Sequence, residues 1–96
     1  MINSKMKTID MNEVKQLKEK LDSKVRKGRG GYSPYRTIAD KLRYSQPEGF
    51  RFVKDFFAGK IKYPKVQHYK MVMYARQIVK SNIDNPYLAE LIELDD

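Results

Sequence analysis

The chain has 96 residues, enough for one domain and too few for two, and its 20 Lys and Arg against 12 Asp and Glu give a formal net charge of +8. It contains no Cys, which excludes disulfides and thiolate-held metals. No apolar run is long enough for a signal peptide or a membrane span, so the expected location is cytoplasmic.

Residues 1–9 are polar and basic and read as a flexible N-terminal segment, with one helical domain expected over residues 10–96. Asp10 is placed to cap a first helix, with Glu13 as its capping-box partner. Met11, Val14, Leu17, Leu21 and Val25 recur at spacings of three and four and form one apolar stripe. Lys15, Lys18, Glu19, Lys20, Asp22 and Lys24 make the opposite, solvated face. The helix should stop in Arg26-Lys27-Gly28-Arg29-Gly30-Gly31, where three glycines permit backbone angles that a helix does not use. This stretch reads either as a flexible loop or as a mobile arm that lays cations along a phosphate backbone or into a minor groove.

Ser33 is a good N-cap and Pro34 suits a first helical turn, so a second helix is expected to about Arg43, with Tyr35, Ile38, Ala39 and Leu42 inward. Tyr44-Ser45-Gln46 reads as a turn. Ser45 is then the cap of a third helix from Pro47 to Ala58, buried along Phe50, Val53 and Phe57 with Phe56 beside them, and ended by Gly59. A basic loop follows from Lys60 to Tyr63. Pro64 should start a fourth helix that runs to Asn82, with Val66, Tyr69, Val72, Met73, Ala75, Ile78 and Val79 on its apolar face. A fifth, from Pro86 to Leu94, offers Leu88, Leu91, Ile92 and Leu94. No segment alternates apolar and polar residues between hairpin turns, so the expected fold is all-α: a compact single domain of about five helices.

The charge is unevenly spread. Residues 84–96 hold five of the twelve acids and no base, so the first 83 residues carry 20 bases and seven acids, a net of +13. A basic body suits a polyanion, because each phosphate neutralised by Lys or Arg releases condensed counterions.

Within the second and third helices, the run Ile38-Ala39-Asp40-Lys41-Leu42-Arg43-Tyr44-Ser45-Gln46-Pro47-Glu48-Gly49-Phe50 has a distinctive steric order. Two helices that meet at a steep angle need a small residue at the crossing, here Ala39, and apolar filling, here Ile38, Leu42, Tyr44, Phe50 and Val53. Over residues 38–59 this resembles the helix-turn-helix of AraC-type regulators: Ile-Ala, then Tyr-Ser-x-Pro, then Phe, then Gly near the end of the second helix. The chain departs from that pattern in having Arg43 where the turn usually has glycine, in a longer stretch between Gly59 and Pro64, and in lacking a second such motif. The layout of the whole chain is similar to the five-helix domain of phage repressors. These resemblances imply a sequence-specific regulator of transcription that binds double-stranded DNA, of a size suited to a phage or mobile element.

With the third helix in the major groove, the implied base contacts are Arg51 first, then Gln46, with Lys54 able to serve either bases or phosphates. Glu48 either accepts from a cytosine or, as the favoured reading, stabilises the positive N-terminus of the helix, and Phe52 either touches a thymine methyl or, as favoured, is half-buried. The implied phosphate contacts are Arg29 in the glycine loop, Ser33, Tyr35 and Arg36 at the start of the second helix, Arg43 and Tyr44 at the turn, and Lys60, Lys62, Tyr63 and Lys65 beyond the third helix. No enzymatic activity is expected. The single His68 has no carboxylate beside it in sequence, the glycine loop lacks nucleotide-binding spacing, and no cofactor or metal site is predicted. The acidic C-terminal segment reads either as a cap on the core or as a partner surface, and a homodimer through the fifth helix or the C-terminal part of the fourth is the expected assembly. Two other readings stay open here: a phage-type adaptor that inhibits a host protein, and an RNA or single-strand binder stacking bases on Tyr32, Tyr35, Tyr44 and Tyr63.

Overall fold

A computed structural model describes residues 9–29, 31–62 and 64–92. Along these residues run α1 (Met11–Asp22), α2 (Pro34–Lys41), α3 (Glu48–Phe57), α4 (Val66–Lys80) and α5 (Pro86–Ala89). No strand occurs among the described residues, and all five helices contribute to one buried core. Ile9, assigned above to the N-terminal segment, packs partly buried on that core.

Asp10 caps α1 as expected, its carboxylate accepting from the Asn12 N–H at 2.9 Å. Glu13 is not its capping-box partner. Instead it accepts two bonds from the Arg76 guanidinium, at 2.6 and 2.7 Å, and so ties α1 to α4. That bond is the main reason its carboxyl titrates below the usual range. Val14, Leu17 and Leu21 are buried, whereas Met11 is exposed. The helix ends at Asp22, short of Val25; the Ser23 hydroxyl donates to the Lys20 carbonyl at 2.6 Å.

The glycine loop is closed. Arg26 and Tyr32 exchange backbone hydrogen bonds of 2.8 and 2.9 Å, and Gly31 N–H donates to the Gly28 carbonyl at 3.0 Å. Gly28 holds φ at +87°. A Cβ on Gly31 would stand 2.9 Å from the carbonyl oxygens of both Arg26 and Gly28, so only glycine fits there. The loop foot is anchored as well: Arg26 pairs with Asp84 at 3.2 Å, and Lys24 donates to the Asn82 side chain at 3.0 Å.

α2 buries Tyr35, Ile38 and Ala39 and stops two residues earlier than the sequence suggests. Arg43 takes φ of +62°, and this lets the Tyr44 N–H reach back to the Ala39 carbonyl at 3.0 Å. The chain then reverses into α3. The sequence stripe of Phe50, Val53 and Phe57 is corrected here: the buried face is Gly49, Val53, Phe56 and Phe57, and Phe50 lies half-buried at its edge. The cause is steric. Gly49 sits against α2, and a Cβ on it would fall 2.5 Å from Tyr44 Cβ and 3.3 Å from Ala39 Cβ. With glycine inward, α3 is turned so that Phe56 enters the core completely.

α4 begins at Val66 rather than Pro64, and Val66 is three-quarters exposed, contrary to its expected place in the core. His68 and Met71 are buried there instead, with Val72, Ala75 and Ile78. α5 is a single turn capped by the Asn85 side chain, which accepts from Leu88 N–H at 3.0 Å; it ends at Ala89, and Leu94, its expected end, lies outside the described residues. Ala89 and Ile92 are buried, while Tyr87 and Leu91 are largely exposed. Lys41 of α2 fastens this segment by donating to the carbonyls of Glu90 and Ile92 at 3.2 and 3.0 Å. No described helix is long and apolar enough to cross a membrane.

Two substitutions at the α2–α3 corner should move stability in opposite directions. Gly49→Ala forces Tyr44 or the α2 backbone aside and should cost about 1–3 kcal/mol in urea denaturation. Arg43→Gly relieves the left-handed strain and should leave stability unchanged or raise it by up to about 1 kcal/mol, because glycine's larger chain entropy offsets part of the gain. A Gly49→Ala protein as stable as the parent would mean that the corner is not close-packed.

Candidate nucleic-acid interface

The corner between α2 and α3 aims one helix face outward. Gln46 bridges the pair: its amide nitrogen donates to Asp40 Oδ1 at 2.8 Å, and its amide oxygen accepts from the Phe50 N–H at 3.1 Å. Gln46, not Ser45, therefore supplies the side-chain cap of α3. On the turn side, the Tyr44 ring meets Phe52 edge-on with centroids 5.7 Å apart.

With Gly49, Val53, Phe56 and Phe57 inward, the 3.6-residue turn leaves Arg51 at the outer pole of α3 and Lys54 on one flank, both exposed. The two flanks differ in charge. Glu48 and Asp55 stand on the flank nearer Arg43 and Tyr44, where they line a shallow depression with Arg51 and Phe52. Lys54 stands on the other, beside Phe50. Its ammonium lies 5.3 Å from the centre of that ring, and the Arg36 guanidinium of α2 lies 5.5 Å from it. Among the described residues neither Arg51, Lys54, Arg36 nor Arg43 has a carboxylate within ion-pair distance. Lys60, largely in solvent, pairs loosely at 3.6 Å with the half-buried Asp55.

The predicted contact residues differ in how far they are free to meet a partner. Arg51, Lys54, Arg36, Arg43, Lys60, Lys62, Lys65 and Arg29 are exposed on the α2–α3 unit or the loops beside it. Ser33 is half-buried and caps no N–H with its side chain; its carbonyl instead accepts from Thr37. Gln46 is exposed, but its amide already serves the helix pair.

Tyr35 is a correction. It is almost completely buried, its ring packs against Phe57, and its hydroxyl donates to Asp22 and, at 3.4 Å, to the Lys18 carbonyl. Burial, and then the Asp22 carboxylate, push the phenol far above its ordinary value. A group so placed cannot meet a phosphate. Tyr32 is buried too, and Tyr44 is half-buried with its phenol raised by burial, so the expected row of stacking tyrosines is not formed by these three. Tyr63 lies outside the described residues.

Phe50 is the residue whose part the sequence did not reveal. Its spacing marks it as core, and nothing in the sequence signals that cations from two different helices share its ring. The other face of α3 is wholly structural. His68 sits between Phe52 and Phe56, at 5.2 and 5.0 Å between centroids, and its Nδ1 accepts from the Lys65 N–H at 2.8 Å. Nε2 is buried without a hydrogen-bond partner among the described residues. No group of three or more His, Asp or Glu among the described residues is placed to hold a metal.

Comparison with known proteins returned no match, whether to protein-family models, to curated proteins or to solved structures.

The setting of His68 predicts a pH dependence. Burial, reinforced by the charge of Lys65, lowers its imidazole below the ordinary value of 6.5. The unfolded chain thus binds a proton more readily than the folded one. The stability this group contributes is complete above about 6.5 and is lost as pH falls through the folded value. Denaturation midpoints should decline on acidification below about pH 6.5, and His68→Gln should flatten that slope. An equal slope in both proteins would assign the acid sensitivity to the carboxylates.

Proposed function

We propose that the chain is a sequence-specific double-stranded DNA-binding protein, a transcriptional regulator built on a helix-turn-helix, with α3 as the helix that enters the major groove. The observation that carries this reading is the outer face of α3. Arg51 stands at its pole, uncovered and without an acidic partner among the described residues, on a helix held by the close approach of Gly49 to Ala39. A guanidinium so presented matches the two acceptors of guanine, O6 and N7.

Lys54, on one flank, is placed to meet either bases or the adjoining phosphates. On the other, Asp55 and Glu48 can accept from a cytosine amino group or keep phosphates at a distance. Gln46 is set aside as a base reader in this proposal, because its amide clamps α2 to α3. Phosphate contacts fall to Arg36, Arg43, Lys60, Lys62, Lys65 and Arg29. The +13 charge of the first 83 residues supports a polyanion as the partner. The burial of Tyr32 and Tyr35 disfavours the stacking mode of single-strand binders.

Preferred sites selected from a random duplex library supply the test. Arg51→Ala should lose about 1–3 kcal/mol on the selected site and discriminate less at one base position, with weaker effects on random duplex. Unaltered affinity and selectivity would remove α3 from the groove. Absence of any duplex shift at low salt would favour a protein partner, as for an adaptor.

A further inference from the structure

We infer that a second surface of this molecule, the groove between the glycine loop and the Lys54 flank of α3, holds the phosphodiester backbone of duplex DNA. This rests on the reading of α3 as the helix that enters the major groove and specifies how the flanking strand is gripped. The groove is lined by Arg26, Lys27 and Gly31 of the loop, Arg36 of α2, and Phe50 and Lys54 of α3.

Four cations line the groove against one acid, and they come from three separate elements. Arg36 and Lys54 hold like charges over one phenyl ring, an arrangement that costs repulsion unless an anion lies between or beside them. Neither they nor Lys27 has a carboxylate within ion-pair distance among the described residues. The one acid lining the groove, Asp22, feels the charge of Lys54 from beyond ion-pair distance, while its carboxylate is hydrogen-bonded by the Lys18 ammonium at 2.8 Å and by the Tyr35 hydroxyl. Arg26 is held at the rim by Asp84.

The far wall is built rather than loose. The Arg26–Tyr32 backbone pair and the Gly28–Gly31 turn close the loop, and at Gly31 any side chain would collide with two carbonyls. A hydrogen-bonded wall facing a helix, with cations along both, suits a linear array of phosphates better than a folded acidic protein surface. It also lies on the cationic flank of α3, so a strand seated there leaves Arg51 turned toward the bases.

The test is the salt dependence of binding to a labelled random-sequence duplex, followed by fluorescence anisotropy with the full chain. Each phosphate contact contributes a slope of about −0.9 in log K against log salt. Lys27→Ala and Arg36→Ala should each reduce the slope by about one and weaken binding alike on every sequence. Lys27 is exposed on the loop, so its truncation should leave the melting temperature unchanged, and Arg36→Lys should restore most of the slope. Unchanged slopes in both alanine variants, with Arg51→Ala still altering base preference, would overturn the groove and leave the α3 reading standing. Reduced slopes with an inert Arg51→Ala would do the reverse. Equal displacement of the duplex by poly-glutamate of matched charge would overturn the assignment to a nucleic-acid backbone.

Discussion

The contact between Ala39 and Gly49 is the constraint on which the rest of the molecule depends. Two helices can approach this closely only if neither presents a bulky side chain at the crossing, and here one presents a methyl and the other nothing. The approach determines the rotation of α3, and the rotation determines which of its residues face water. Arg43 accepts a left-handed conformation, unusual for a residue with a side chain, so that the turn is short enough to bring Tyr44 over Gly49. Gln46 then locks the result by bonding to Asp40 on one side and to the first turn of α3 on the other.

The pairing of charges follows the same geometry. Carboxylates on α1 and after α4 are engaged by neighbouring cations: Glu13 by Arg76, Asp22 by Lys18, Asp84 by Arg26. These exposed pairs contribute little stability individually, about 0–1 kcal/mol each. Asp40, Glu48 and Asp55 remain on the α2–α3 unit, yet none lies within ion-pair distance of Arg36, Arg51 or Lys54 among the described residues. The proposed groove and the proposed reading face are adjacent outcomes of that distribution.

The inner side of α3 has a different task. Phe52 and Phe56 clasp His68 of α4, and Phe57 packs on Tyr35 of α2, so α3 is braced from two directions. These aromatic contacts fix the inner side of α3 against both α2 and α4.

Helix number, order and approximate span were legible from apolar spacing and from Asp10, Pro34, Gly59 and Pro86, because caps and periodicity are local properties of the chain. The exposed position of Arg51 was legible for the same reason. Periodicity locates a buried face only to within a residue or so, however, and α3 offers four phenylalanines to choose from. The choice between Phe50 and Phe56 was made by Gly49 meeting Ala39 across ten residues of chain. Tyr35 was claimed by an acid on α1, Val66 was displaced from the core by His68 and Met71, and Phe50 acquired two cations from different helices. By itself the sequence determined which segments are helical and which face of each is broadly apolar. Only the tertiary structure decided which polar groups are consumed inside the molecule and which remain for a partner, since that depends on neighbours distant in sequence that meet only when the helices pack.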